Sequence, residues 1–178
     1  METNVLESKA HETQFRLRLG VRYHQRRARW FESWDLWVKG LSVMAGTAAV
    51  GALWKQYPDI AAWAATFITI LTTLSLVFGF SAKARQHIDL ARKFLEIEAE
   101  LVSKVEPDLQ FLHQLDGRIR LIEGQEPAPL GALVTLCQNE LVRQDGQEDY
   151  VVALPLCHRF FAHVFDLQAP KPSARPHS

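Results

Sequence analysis

Cysteine is nearly missing from this chain: 178 residues hold two, Cys137 and Cys157. They stand 20 positions apart with no CxxC spacing, which argues against a disulfide framework and reads as two free, reduced thiols. Net charge is missing as well, because 20 basic residues balance 20 acidic ones. No overall field exists to hold nucleic acid, so none is expected as a partner. Strand signals are almost absent. The run Tyr150-Val-Val-Ala-Leu is the one short candidate, and it has no partner run. Glu2 to Glu12 is polar and of mixed charge, without the basic start, apolar core and small-residue cleavage site of a signal peptide.

Catalytic patterns are missing too. There is no GxGxxG, P-loop, HExxH or GxSxG. Seven histidines are scattered, and His158 and His163, five apart, do not share a helical face as metal ligands would. Cys137 lies between Leu136 and Gln138, with no basic neighbour in sequence to lower its pKa. The expectation is therefore no enzyme, no catalytic residue, no metal and no cofactor.

What is present is apolar length. Ile60 to Phe80 runs 21 residues without a charge, enough at about 1.5 Å per residue to cross a hydrocarbon core of roughly 30 Å. An earlier stretch, Trp37 to Trp54, is weaker because it contains Lys39, whose stem can snorkel to water from the first turn. Trp34, Trp37, Trp54 and Trp63 sit where an aromatic belt would lie, and Gly46, Ala49 and Gly51 would allow close helix approach. Only Lys55 to Asp59 separates the two stretches, which forces adjacent antiparallel helices, with Pro58 placed to start the second. The alternative is a soluble bundle that buries two Ala-rich helices. Orientation follows the positive-inside rule. Arg18, Arg22, Arg26, Arg27 and Arg29 precede the first span and Lys39 sits in its first turn, Lys83, Arg85, Arg92 and Lys93 follow the second, and the link has only Lys55. Both termini are expected in the cytoplasm.

The fold class expected is an all-α membrane protein, a two-helix transmembrane hairpin with a cytoplasmic helical domain. Its parts are a basic amphipathic N-terminal helix within 1–36, the hairpin at 37–80, cytoplasmic helices at 81–167 and a disordered, proline-containing tail at 168–178. Over Gln14 to Glu32, Phe15, Leu19, Tyr23, Ala28, Trp30 and Phe31 alternate with the arginines. The basic face (Arg18, Arg22, Arg26, Arg27, Arg29) either meets anionic headgroups or is simply solvated. Leu90, Phe94, Ile97, Leu101 and Val105 form a heptad-like seam, for a coiled coil or for packing on another helix of the same chain. Pro107 kinks that helix or restarts it. Leu109, Leu112, Leu115, Ile119 and Ile122 stripe a helix over Asp108 to Glu123, and Leu133, Leu136, Cys137 and Leu141 one over Leu130 to Val142. A last helix is expected over Pro155 to Leu167, with Leu156, Phe160, Phe161, Val164 and Phe165 on its apolar side.

Hydroxyls mark the second span. Thr66, Thr69 and Thr73 share one face, and Thr72, Ser75 and Gly79 a neighbouring one. Such residues bond back to their own carbonyls or face the first helix; in an oligomer a stripe of them would line a narrow polar pore.

Arg22-Tyr-His-Gln-Arg-Arg-Ala-Arg-Trp-Phe ahead of a Gly/Ala-rich span resembles the SLATT family, a two-transmembrane effector domain associated with SMODS nucleotidyltransferases and SLOG proteins. Arg120-Leu-Ile-Glu-Gly-Gln-Glu-Pro and Leu136-Cys-Gln-Asn-Glu-Leu are similar to the cytoplasmic part of some members, so the resemblance covers roughly residues 15–141. It implies a homo-oligomeric effector in the inner membrane of a bacterium that forms pores or disrupts the bilayer during phage infection. The trigger would be a nucleotide second messenger or a nucleotidyltransferase-linked partner. Arg120, Glu123, Glu126, Asn139 and Glu140 would then be sensor or assembly residues; the alternative is helix capping and surface ion pairing. A second function is a membrane-anchored scaffold that recruits a soluble partner, with Phe160, Phe161 and Phe165 as its docking surface.

Overall fold

The structure, a computed structural model, describes residues 2–45, 47, 51, 55–163 and 166. Gly46, Ala49, Trp54, Val164, Phe165, Leu167 and the 168–178 tail lie outside them. Every regular element among the described residues is helical. The helices are α1 (Glu2–Ala45), α2 (Pro58–Phe78), α3 (Phe80–Ser103), α4 (Leu109–Glu123), α5 (Gly131–Gln144) and α6 (Leu156–Phe161), with a 3-10 turn at Glu148–Tyr150. The chain divides into two compact units, residues 1–26 with 88–178, and residues 27–87.

α1 departs from expectation. It is one helix of 44 residues where a helix over 14–32 and a separate span were foreseen. The physical reason is the absence of proline between Glu2 and Ala45; Gly20 and Gly40 each cost only about 1 kcal/mol in a helix interior.

In the first unit, Leu17 of α1 packs with Leu90, Phe94, Ile97 and Leu101 of α3 and Leu112, Leu115, Ile119 and Ile122 of α4. Each such side chain contributes about 1.5–3 kcal/mol by leaving water. Packing within the chain is thus what the α3 seam does. It stops at Leu101, for Val105 is 95 % exposed. Pro107 divides two helices rather than kinking one. α3 ends at Ser103, and Asp108 caps α4 by accepting from the Phe111 N–H at 2.7 Å. Gly20 is the close-approach point. A Cβ there would lie 3.0 Å from three carbons of the Phe94 ring.

α5 forms a second cluster, with Ala132, Leu133 and Cys137 against Tyr23 and Ala162. Its first N–H groups, which no helix can satisfy internally, are taken by side chains: Leu130 donates to the Tyr23 hydroxyl and Gly131 to Asp166, each at 3.1 Å. The Tyr150–Leu154 strand candidate is a 3-10 turn followed by extended chain, and among the described residues there is no second strand to pair with it. α6 covers six residues of the helix expected from Pro155 to Leu167.

In the second unit, Pro58 opens α2 and Gly79 closes it in the left-handed conformation (φ 59°), its N–H returning to the Ser75 carbonyl at 3.0 Å. Only glycine takes that backbone without strain. α2 has no buried residue, and its helix is long and apolar enough by length and composition to cross a membrane. Its half-covered face is Ala61, Ala64, Ile68, Leu71, Thr72 and Ser75. On α1, Phe31 and Val38 are buried, and Ser42 Oγ lies 3.4 Å from Thr72 Oγ1. Phe31 stacks on His87 at 5.6 Å between centroids and on Phe80 at 6.3 Å.

Candidate functional site

The hydroxyl residues of α2 separate into two sets. Thr72 and Ser75 belong to the half-covered face, and Thr72 meets Ser42. Thr66, Thr69 and Thr73 are exposed. At about 100° per residue they fall on the side opposite Ala64, Ile68 and Ser75. Their hydroxyls donate to the carbonyls of Ala62, Ala65 and Thr69 at 2.8–2.9 Å. The three thus need no outside partner for the hydroxyl proton, while each oxygen keeps acceptor capacity toward the open side. Around them stand Ile60, Trp63, Phe67, Ile70 and Val77, each more than half exposed. The surface is one polar stripe in an apolar field.

The arginines of α1 mostly meet partners within the chain. Arg18 meets Asp145 at 3.2 Å, Arg22 lies 3.7 Å and Arg26 2.9 Å from Glu140, and Arg22 also donates to Gln144. Arg27 sits over the Phe31 ring at 4.6 Å. Of the five named as a membrane-surface set, only Arg29 is exposed. Carboxylates 100 or more positions downstream draw Arg18, Arg22 and Arg26, as local periodicity cannot foretell.

The residues named for sensing or assembly mostly meet α1. Glu123 accepts from both Nε and Nη2 of Arg16, whose Nη1 reaches Asp116 at 2.8 Å. Arg120 donates to the same Asp116 at 3.0 Å. Glu126 lies 3.0 Å from Nε2 of His24, a buried ring that stacks on Phe94 at 5.7 Å. Glu140 takes Arg22 and Arg26. Asn139 does something else: its amide donates to the Val152 carbonyl at 2.7 Å and accepts the Val152 N–H at 2.8 Å. It imitates one rung of a strand ladder for an extended segment that has no strand beside it among the described residues.

The hydrogen bond from Arg120, reinforced by Arg16, holds the Asp116 carboxyl below the usual carboxylate range. Glu123 and Asp116 raise the Arg16 guanidinium further. Pairs this exposed contribute up to about 1 kcal/mol each, so their value lies in fixing which face of α1 meets α4 and α5. Cys137 is buried and its thiol is pushed up by that burial, which makes it inert at neutral pH; Cys157 is exposed. Sequence reading missed Arg16, Asp116 and His24 as a set, since nothing local links residues a hundred positions apart. Among the described residues no cluster of three metal-ligating side chains occurs.

No family model, curated protein or solved structure matches this chain.

Proposed function

We propose that the chain is an oligomeric membrane effector. In this reading residues 37–80 form a two-helix transmembrane hairpin, both termini face the cytoplasm of a bacterium, and α2 contributes Thr66, Thr69 and Thr73 to a pore. The cytoplasmic helices hold the path closed until a trigger acts. The observation that carries it is the position of the hydroxyl stripe. It lies on the open side of an apolar helix with no buried residue, opposite the face turned to its neighbour. Burying such a helix among copies of itself in lipid leaves its apolar flanks solvated by acyl chains and brings the hydroxyls together. A water-soluble chain would seldom expose so large an apolar surface. The likeness to SLATT effectors, and with it an anti-phage role that kills the infected cell, belongs to the same proposal.

The test is cysteine accessibility, in a background lacking Cys137 and Cys157. Single cysteines at Thr66, Thr69 and Thr73 should react with an aqueous thiol reagent in cells that the protein depolarises, while cysteines at Phe67 and Leu74, on another face of the helix, should not. Failure of all three threonine positions to react in depolarised cells refutes the pore.

A second reading, an anchored scaffold that recruits a soluble partner, draws on Leu156 and Phe161, which are 73 % and 50 % exposed on α6. It predicts that induction leaves membrane potential unchanged.

A further inference from the structure

A cleft of about 820 Å³ opens beside α5, in the unit made of residues 1–26 and 88–178. Arg26, Glu140, Arg143 and Arg159 give it charge, and Val151 and Leu154 give it an apolar wall. Ligand sites commonly enclose about 300–1,000 Å³, so a molecule of up to nucleotide size fits. The wall is preformed: Asn139 holds Val152 through both backbone groups, so little ordering remains to oppose binding.

The charges do not balance. Arg26 is matched by Glu140 at 2.9 Å. Arg143, in the last turn of α5, and Arg159, on α6, form no ion pair among the described residues. Three arginines against one carboxylate leave two positive charges in excess along one cleft. Arg16, Arg18 and Arg22, by contrast, each face a carboxylate. A phosphate monoester carries about 1.5–2 negative charges at neutral pH and offers oxygens that match the planar guanidinium fork. We propose that this cleft binds a small phosphomonoester whose body lies on Val151 and Leu154, with Arg143 and Arg159 holding the phosphate. The inference concerns one unit and is read by binding, so it stands or falls independently of the pore.

The same chemistry reaches the cleft from a soluble metabolite or from a lipid headgroup. The full chain in detergent, in phosphate-free buffer, is titrated calorimetrically with adenosine 5′-monophosphate, phenyl phosphate and short-chain phosphatidic acid. Saturable binding of at least one soluble probe is expected, with adenosine and phenol binding at least about tenfold more weakly. Losing a hydrogen bond to a charged group corresponds to about tenfold or more in affinity, so R143Q and R159Q should each weaken binding by that factor. R92Q, outside the cleft, should bind as wild type. Both cleft arginines are exposed, so unchanged helical circular dichroism is expected and separates lost binding from lost fold. Arginine-dependent binding of phosphatidic acid alone supports the cleft and assigns its ligand to the membrane. No saturable binding below about 10 mM by any probe, or a double R143Q/R159Q variant that binds as wild type, overturns the proposal.

Discussion

Replacing Asn139 by alanine tests how the extended segment after the 3-10 turn is held. Asn139 is 7 % exposed, and its two hydrogen bonds to Val152 are 2.7 and 2.8 Å long. A hydrogen bond contributes about 1 kcal/mol net, so removing both should destabilise the closed segment by about 2 kcal/mol. That is roughly a thirtyfold shift in the local opening equilibrium. Amide hydrogen exchange on the full chain in detergent reads it directly. The Val152 amide should exchange about thirtyfold faster in N139A, while amides of α4 near Leu112 and Leu115 keep their wild-type rates. N139D separates the two bonds. It retains the acceptor for the Val152 N–H but loses the donor and sets a carboxylate against a carbonyl oxygen, so its Val152 amide should stay better protected than in N139A. Unchanged Val152 exchange in N139A would refute the reasoning, for the segment would then be held by something other than Asn139.

Two further outcomes follow from packing and charge. G20A adds a Cβ 3.0 Å from the ring of Phe94, itself 2 % exposed; overpacking of about 1–3 kcal/mol should exceed the roughly 1 kcal/mol gain in helix propensity. A lowered Tm is expected, with F94L in the G20A background recovering part of the loss. Asp116 has a carboxyl pKa lowered by Arg120 and Arg16, so its contribution to stability is complete above the unfolded carboxylate value of about 4 and is lost as pH falls through the lower folded one. D116N should flatten that part of the acid limb in a denaturation series from pH 6 to 2; an unaltered limb would count against the assignment.

The helices rich in leucine and isoleucine were legible from sequence. Leu112, Leu115, Ile119 and Ile122 repeat at helical spacing, and all four are buried. α1 was harder. Its inward positions in the first unit include Thr13, Leu17, Gly20 and His24, so the stripe that packs is punctuated by residues that do not register as apolar. Leu17 went unremarked while Phe15, more hydrophobic in appearance, is only half-buried. The five residues named for sensing or assembly were legible as a group with polar work to do, but their partners were not. Arg16 and Glu123 are 107 positions apart, and only the packing of α1 on α4 joins them. The threonine stripe was legible as a shared face; which way that face turns required the neighbour of Thr72.

Pro58 and Gly79 also bear on the kind of membrane α2 suits. Tyr57, before a proline, is biased away from helical backbone, and Gly79 turns left-handed before α3 begins at Phe80, so a backbone break marks each end of α2. The 21 residues between span about 32 Å, against a hydrocarbon core of roughly 30 Å. As a transmembrane segment, α2 is a ruler of fixed length. A thicker bilayer would then have to thin around the protein, and a thinner one would tilt the helix. In a membrane, bilayer thickness would thereby be a variable to which α2 responds, separate from any ligand.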